Sequence, residues 1–310
     1  MTADRALVQS IRQRLENHAR KNGIDIQRTL VRYALERLLY RLSVSEHRDR
    51  FILKGAMLFS VWEQAPFRAT GDLDLLGYGP NTQEALIAAF REICLTPPAA
   101  PDGLIFETAN IQAEPLRLAT DYTGIAVRFD AMLGRARLRM QIDVGFGDAI
   151  TPGPIEVDFP TLLDMPAPHL KAYPPETVLA EKLEAVVSLG LANTRIKDFF
   201  DIWAIAQTFN LDGAIVIAAI RATFNRRGTT FPASMPTAIS AAFSNDPEKQ
   251  RLWNAFVVDR IDAHRAPTDL PAVIAAMTPF VEPLLDAMRR GSSPGRWNRE
   301  SQSWGRIPAQ

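Results

Sequence analysis

The chain has 310 residues, 35 Lys and Arg against 35 Asp and Glu, and a hydrophobic content of 47%. That length suits two packed subdomains, the composition excludes an intrinsically disordered protein, and zero net charge leaves any nucleic-acid contact to local patches. The single cysteine, Cys94, excludes an internal disulfide and fits a reducing compartment. No apolar run approaches the roughly twenty residues of a membrane span, and the N-terminus lacks a signal peptide's apolar region. A cytoplasmic location without a membrane partner is the expectation.

In chain order, Leu7, Val8, Ile11 and Leu15 recur at helical spacing over residues 4–21. After Gly23, a second helical run carries Ile26, Leu30, Val31, Ala34, Leu35, Leu38 and Leu39 on one broad face. The first fifty residues hold eleven Lys and Arg against six Asp and Glu. Such a surplus is most often a solvated face of amphipathic helices, and it can also hold RNA phosphate.

Residues 51–76 organise the rest. Phe51-Ile52-Leu53 is a short apolar run, Lys54-Gly55-Ala56 a turn, and Met57, Leu58, Val61 and Trp62 a helical pattern that Pro66 stops. Thr70-Gly71-Asp72-Leu73-Asp74-Leu75 follows. On a strand Asp72 and Asp74 share one face while Leu73 and Leu75 point into a core. Paired carboxylates repel, and a cation between them relieves the cost. Mg²⁺ suits the role, since it takes one or two carboxylates plus phosphate oxygens and water. The glycine turn opposite would let phosphates approach closely.

A helix over residues 83–94 and a Pro/Gly loop over 96–103 come next. A β-rich block spans about 104–159, in which residues 125–132 and 135–146 read as a hairpin around Leu133-Gly134. Its second strand places Leu138, Met140, Ile142 and Val144 on one face, with Arg135, Arg137, Arg139, Gln141 and Asp143 on the other. The three arginines would form a track for RNA phosphate leading to Asp143. Pro174-Pro175-Glu176-Thr177 starts a helix and Gly190 ends it. Lys182 lies at the edge of its apolar face, where a lysine usually snorkels to water. In the next helix Arg195, Asp198 and Asp201 are three apart and can pair. Further helices near 212–225, 247–262 and 271–289 carry no recognisable chemistry. The stretch after Arg289 is Gly/Ser/Pro-rich, with Trp297 and Trp304 among arginines, which could stack on RNA bases.

KGAML and RATGDLDL, followed far along by EKLEA and RIKDFFDIW, resemble the AbiEii-type nucleotidyltransferase toxin family, over roughly residues 30–210. Members of that family usually read KGG and R-x-[ST]-x-D-[IL]-D. Ala56 departs from the pattern, so only its backbone N–H can meet a phosphate. The resemblance implies an α/β (α+β) protein of two lobes, with a small mixed sheet and a C-terminal helical lobe. The expected division is N-terminal helices (1–50), nucleotidyltransferase lobe (51–165), helical lobe (166–290) and tail (291–310). It implies Asp72, Asp74 and Asp143 as metal ligands for Mg²⁺ or Mn²⁺, and Lys182 and Asp198 completing a nucleotide site in a cleft. Lys54, Gly55, Ala56, Arg68 and Thr70 would lie against the nucleoside triphosphate. The implied acceptor is the 3′ end of tRNA, and the implied partner an antitoxin, often a DNA-binding repressor, in phage defence. Two other readings fit the same residues: a kinase-like toxin acting on a protein hydroxyl, and a nucleotide-binding module without activity.

Overall fold

The computed structural model describes residues 4–62, 70–116, 124–260 and 267–305. They fall into two compact units, the first within 1–61, 69–147 and 155–172, the second within 62–68, 148–154 and 173–310.

The first unit opens with α1 (Arg5–Asn22) and α2 (Ile26–Ser43). Each starts on an aspartate whose side chain accepts from the first turn, Asp4 from Ala6 N and Asp25 from Arg28 N. Then come β1 (Phe51–Lys54), the short α3 (Leu58–Val61), β2 (Leu73–Gly77) and α4 (Gln83–Leu95). Six strands follow: β3 (Leu104–Phe106), β4 (Gln112–Pro115), β5 (Gly124–Leu133), β6 (Ala136–Phe146), β7 (Ile155–Asp158) and β8 (His169–Ala172). All eight described strands join one sheet in the order β3-β5-β6-β2-β1-β8-β7, with β4 also on β5. The β2–β6 and β1–β8 pairs are parallel and the others antiparallel. The expected mixed sheet is therefore present, with eight strands.

Strand β6 alternates as its sequence dictates. Leu138, Met140, Ile142 and Val144 are fully buried and α2 packs on the strand, while Arg137 and Arg139 are exposed and Gln141 and Asp143 half-buried. The hairpin turn is Gly134-Arg135, with Leu133 paired to Ala136. Arg135 thus lies in the turn and not on the strand, which removes it from the three-residue arginine track.

Two of the arginines of α2 are turned inward, while Arg28 is exposed. Arg37 and Arg41 are buried; Arg41 forms a two-pronged pair with Asp102 at 2.5 and 3.1 Å, and Arg37 donates to the Pro166 carbonyl and lies 3.0 Å from Glu36. Glu36 in turn accepts from the Leu162 amide at 2.7 Å. Buried charges persist when paired and hydrogen-bonded. The solvated-face reading therefore fails for these two residues. Cys94 is buried on α4, and burial pushes its thiol up to about 12, so it is a small core residue.

The second unit is mostly helical: α5 (Pro175–Leu189), α6 (Ile196–Thr208), β9 (Leu211–Asp212), α7 (Gly213–Arg227), α8 (Ala241–Ser244), α9 (Pro247–Arg260) and α10 (Leu270–Arg290). Helix α5 packs on α6 and α7, and α10 on α6. By length and composition α10 could cross a membrane, contrary to the sequence expectation; half of its apolar window is buried inside the unit and Pro279 and Pro283 lie within it. The last elements, β10 (Arg296–Asn298) and β11 (Ser303–Gly305), extend β9 into a three-stranded sheet. Trp297 is fully buried there. Its indole N–H donates to the Ala206 carbonyl at 2.8 Å and its ring meets Phe280 edge-on. Trp304 stacks on the same Phe280. These rings are packing residues, so Trp297 has no face left for a base.

Candidate active site

In the first unit the site grows from the β2–β6 pairing. The parallel register sets Asp74 beside Asp143, and the antiparallel register of β1 sets Lys54 opposite Asp74. Opposite charges at a cross-strand pair attract. Asp72 falls one residue ahead of β2, so its side chain is aimed by a local contact and not by strand alternation. The Thr70 hydroxyl donates to its carboxylate. Thr70, expected against the nucleotide, engages Asp72.

Gly55, expected in a turn that phosphates approach, also makes room for a side chain. Its φ is +72°, and a Cβ added there would overlap the Asp74 carboxylate, 2.6 Å from its Cγ. The missing side chain makes room for Asp74. Ala56 is buried in the short 3₁₀ turn that follows. Arg68 lies outside the described residues.

Asp143 carries the electrostatic cost. Burial first, then the charge of Asp74, then that of Asp72, push its carboxyl up to about 6. Two contributions oppose the rise: hydrogen bonds from Gln141 Nε2 at 3.1 and 3.4 Å, and the charge of Arg128. Arg128 reaches Gln141 Oε1 at 3.2 Å and pairs with Glu114 at 2.9 Å. Gln141 and Arg128 are supporting residues that sequence reasoning did not single out; Gln141's place two before Asp143 on the same face was the available signal. Beyond them Arg137 pairs with Asp130, the register partner of Arg139.

The donor set fits a hard divalent cation. Among the described residues no three His, Cys, Asp or Glu side chains form a ready-made metal group. Mg²⁺ does not ask for one, because two carboxylates leave the remaining positions to water and phosphate oxygens. The mutual repulsion raising Asp143 is what such an ion would relieve.

In the second unit Lys182 does not snorkel. Its side chain is 11% exposed, and Nζ lies 2.7 Å from Asp198 Oδ1 and 3.0 Å from Asp201 Oδ2. Arg195 Nε reaches Asp198 Oδ2 at 2.7 Å, as their i, i+3 spacing predicts. Both aspartates are fully buried. Burial raises the Asp198 carboxyl, but Lys182 and Arg195 outweigh it and hold it down at about 2. Asp201, unassigned from sequence, is thus a partner of Lys182. On the neighbouring helix turns Arg227 joins Glu184 at 2.7 Å, Glu181 at 3.3 Å and Asp148 at 3.4 Å.

A family model described as the nucleotidyl transferase AbiEii toxin of type IV toxin–antitoxin systems matches residues 37–277. The chain belongs to that family. The AbiEii match spans every carboxylate, lysine and arginine of the two clusters and leaves α1 outside it. Two solved structures are similar in fold. The crystal structure of JHP933 from Helicobacter pylori shares 13% identity at a TM-score of 0.45, covering 83% of this chain and 92% of that one. The "Crystal structure of putative nucleotidyltransferase from H. pylori" shares 13% at 0.48, covering 87% and 99%. Likeness at that level carries no argument about function. No curated protein matches the chain significantly.

Proposed function

We propose that this AbiEii toxin transfers a nucleotidyl group from a nucleoside triphosphate to the 3′ end of tRNA, with Mg²⁺ held by Asp74 and Asp143 and approached by Asp72. The observation that carries the reading is the Asp74–Asp143 register beside the Gly55 turn, in a chain of nucleotidyltransferase family. The acceptor's 3′ oxygen forms a bond to the α-phosphorus, the bond from that phosphorus to the bridging oxygen breaks, and pyrophosphate leaves with that oxygen. The ion, when bound, supplies positive charge to the triphosphate and favours the ionised hydroxyl. Asp74 and Asp143 position the ion, Gly55 leaves space for Asp74, and Gln141 orients Asp143. Lys54 is the nearest cation on β1 to offset phosphate charge. The family pattern also gives Lys182 and Asp198 to the nucleotide. A cognate antitoxin follows from the family, and a DNA-binding repressor is the form proposed for it.

Incubation with bulk tRNA and ATP labelled at the α or the γ phosphate tests this directly. Transfer should leave α-label on tRNA, cease with a chelator and fail in Asp74→Asn. Label retained only from the γ position would identify a kinase instead, and no metal-dependent release of pyrophosphate would leave a binding module.

A further inference from the structure

We propose that α1 and the tip of the β5–β6 hairpin form one surface that docks the phosphates of the RNA acceptor's duplex portion. The inference rests on the RNA-acceptor reading above and names a binding surface for it. Helix α1 lies wholly outside the residues that the family model matches. It carries Arg5, Arg12, Arg14, Arg20 and Lys21 against Asp4 and Glu16. Arg5, Arg14, Arg20 and Lys21 are exposed, and Arg12 stands 4.0 Å from Glu16. Asp4 is occupied as the helix cap. The contrast with α2 matters: that helix spends Arg37 and Arg41 on buried acceptors, whereas α1 presents its cations outward.

The packing joins these cations to the hairpin. A Cβ on Gly134 would stand 2.9 Å from Val8, and one on Gly103 would stand 3.2 Å from Ile11. The apolar face of α1 therefore sits against the turn Gly134-Arg135, and Arg5 and Arg12 lie about one helical turn either side of Val8. Arg135, displaced from the strand by the turn, is exposed at that same tip. Arg137 follows on β6, exposed and paired with Asp130.

Distance identifies the ligand. Asp143 lies seven residues along β6 from Ala136, a span of about 24 Å, and Arg135 stands one residue beyond Ala136 in the turn. An extended single strand advances about one phosphate for each two strand residues, about 7 Å. A 3′ end held at Asp143 would therefore reach the hairpin tip after about four unpaired nucleotides. The cations at the tip then meet the place where the duplex begins, where recognition is by shape and phosphate. An acidic protein would suit the charges of α1 but not this spacing along β6.

The test is tRNA binding by the full chain, without nucleotide, from 50 to 300 mM KCl. Arg5→Gln, Arg12→Gln and Arg135→Gln together should lower the slope of log affinity against log salt by about 2.7, at about 0.9 for each duplex phosphate contact, and weaken binding on the order of 500-fold at 0.1 M salt. The melting temperature should stay that of the parent. Arg289→Gln, Arg290→Gln and Arg296→Gln remove the same charge from the second unit and should leave the slope unchanged. A parent that labels tRNA while the first triple variant keeps its slope, or loses no more than the second, overturns the docking surface alone. A parent that neither labels nor binds tRNA overturns both readings, and loss of antitoxin binding with the slope intact reassigns the surface to protein.

Discussion

Replacing Lys182 by methionine separates a buried network lysine from a solvated one. Met keeps most of the volume, so the change is chiefly the loss of a charge 2.7 Å from Asp198 and 3.0 Å from Asp201. Breaking a buried pair by removing one partner costs about 3–5 kcal/mol. In a unit of this size that lowers the melting temperature by roughly 2–4 °C per kcal/mol, so the second unit should melt about 10 °C earlier. A solvated lysine would shift stability by no more than about 0.5 kcal/mol. The pH dependence gives an independent sign. In the parent, Asp198 titrates near 2, below its unfolded value of about 3.9. The unfolded chain then binds the proton first, and this contribution to stability is lost as pH falls from about 4 to 2. Without Lys182, Arg195 alone offsets the burial of Asp198, so its folded carboxyl should move up from about 2 towards the unfolded value. The variant should therefore lose less stability than the parent on acidification through the same region. Thermal melts followed by circular dichroism from pH 7 to 2 provide the assay. A variant that melts within a degree or two of the parent, with the parent's pH slope, would refute the buried-network account. Transfer activity is to be compared below the variant's melting range, so that lost nucleotide binding is not confused with unfolding.

Three further outcomes follow from the first unit and the terminal sheet. Metal-free parent should become more stable as pH falls through about 6, because folded Asp143 binds its proton before the unfolded chain does; Asp143→Asn should abolish that rise, Asp74→Asn should reduce it, and both should lose transfer. Gly55→Ala should cost at least about 1–2 kcal/mol for a Cβ at positive φ and should impair transfer by displacing Asp74, whereas Gly71→Ala, whose Cβ meets nothing within 4 Å, should be tolerated in both assays. Trp297→Ala should cost about 3–5 kcal/mol, measurable as a lower melting temperature of the second unit, and an unchanged melt would remove the tail from the core.

What could be read from sequence was local. The strand bearing Leu73-Asp74-Leu75, the hairpin leading to Asp143 and the helix begun by Pro175 and ended by Gly190 all announce themselves by periodicity or capping. The fates of charged residues did not. Arg41 finds Asp102 and Arg37 finds Pro166 across long stretches of chain, and no spacing rule connects them. Lys182 looked like a surface lysine because its neighbours in the helix were apolar on one side only; its partners come from the next helix. Gly55 was legible as a tight turn, but what fills the space over it is a side chain from β2. Trp297 lay in a stretch whose Gly, Ser and Arg content left local packing and stacking on RNA bases both open, and a single buried indole decided for packing.

The parallel β2–β6 pairing has a consequence for the order in which the first unit assembles. The β5–β6 hairpin closes over a two-residue turn and can form within microseconds, carrying Asp143 with it. Strand β2 must then be captured from far away in the chain, the kind of step that makes a topology slow. Until that moment Asp74 and Asp143 are strangers, and their repulsion is felt only as β2 docks on β6. The barrier to completing the sheet is therefore partly electrostatic. Mild acid lowers it, and a divalent ion held between the two carboxylates would lower it too, so refolding of the chain should speed up as Mg²⁺ is added.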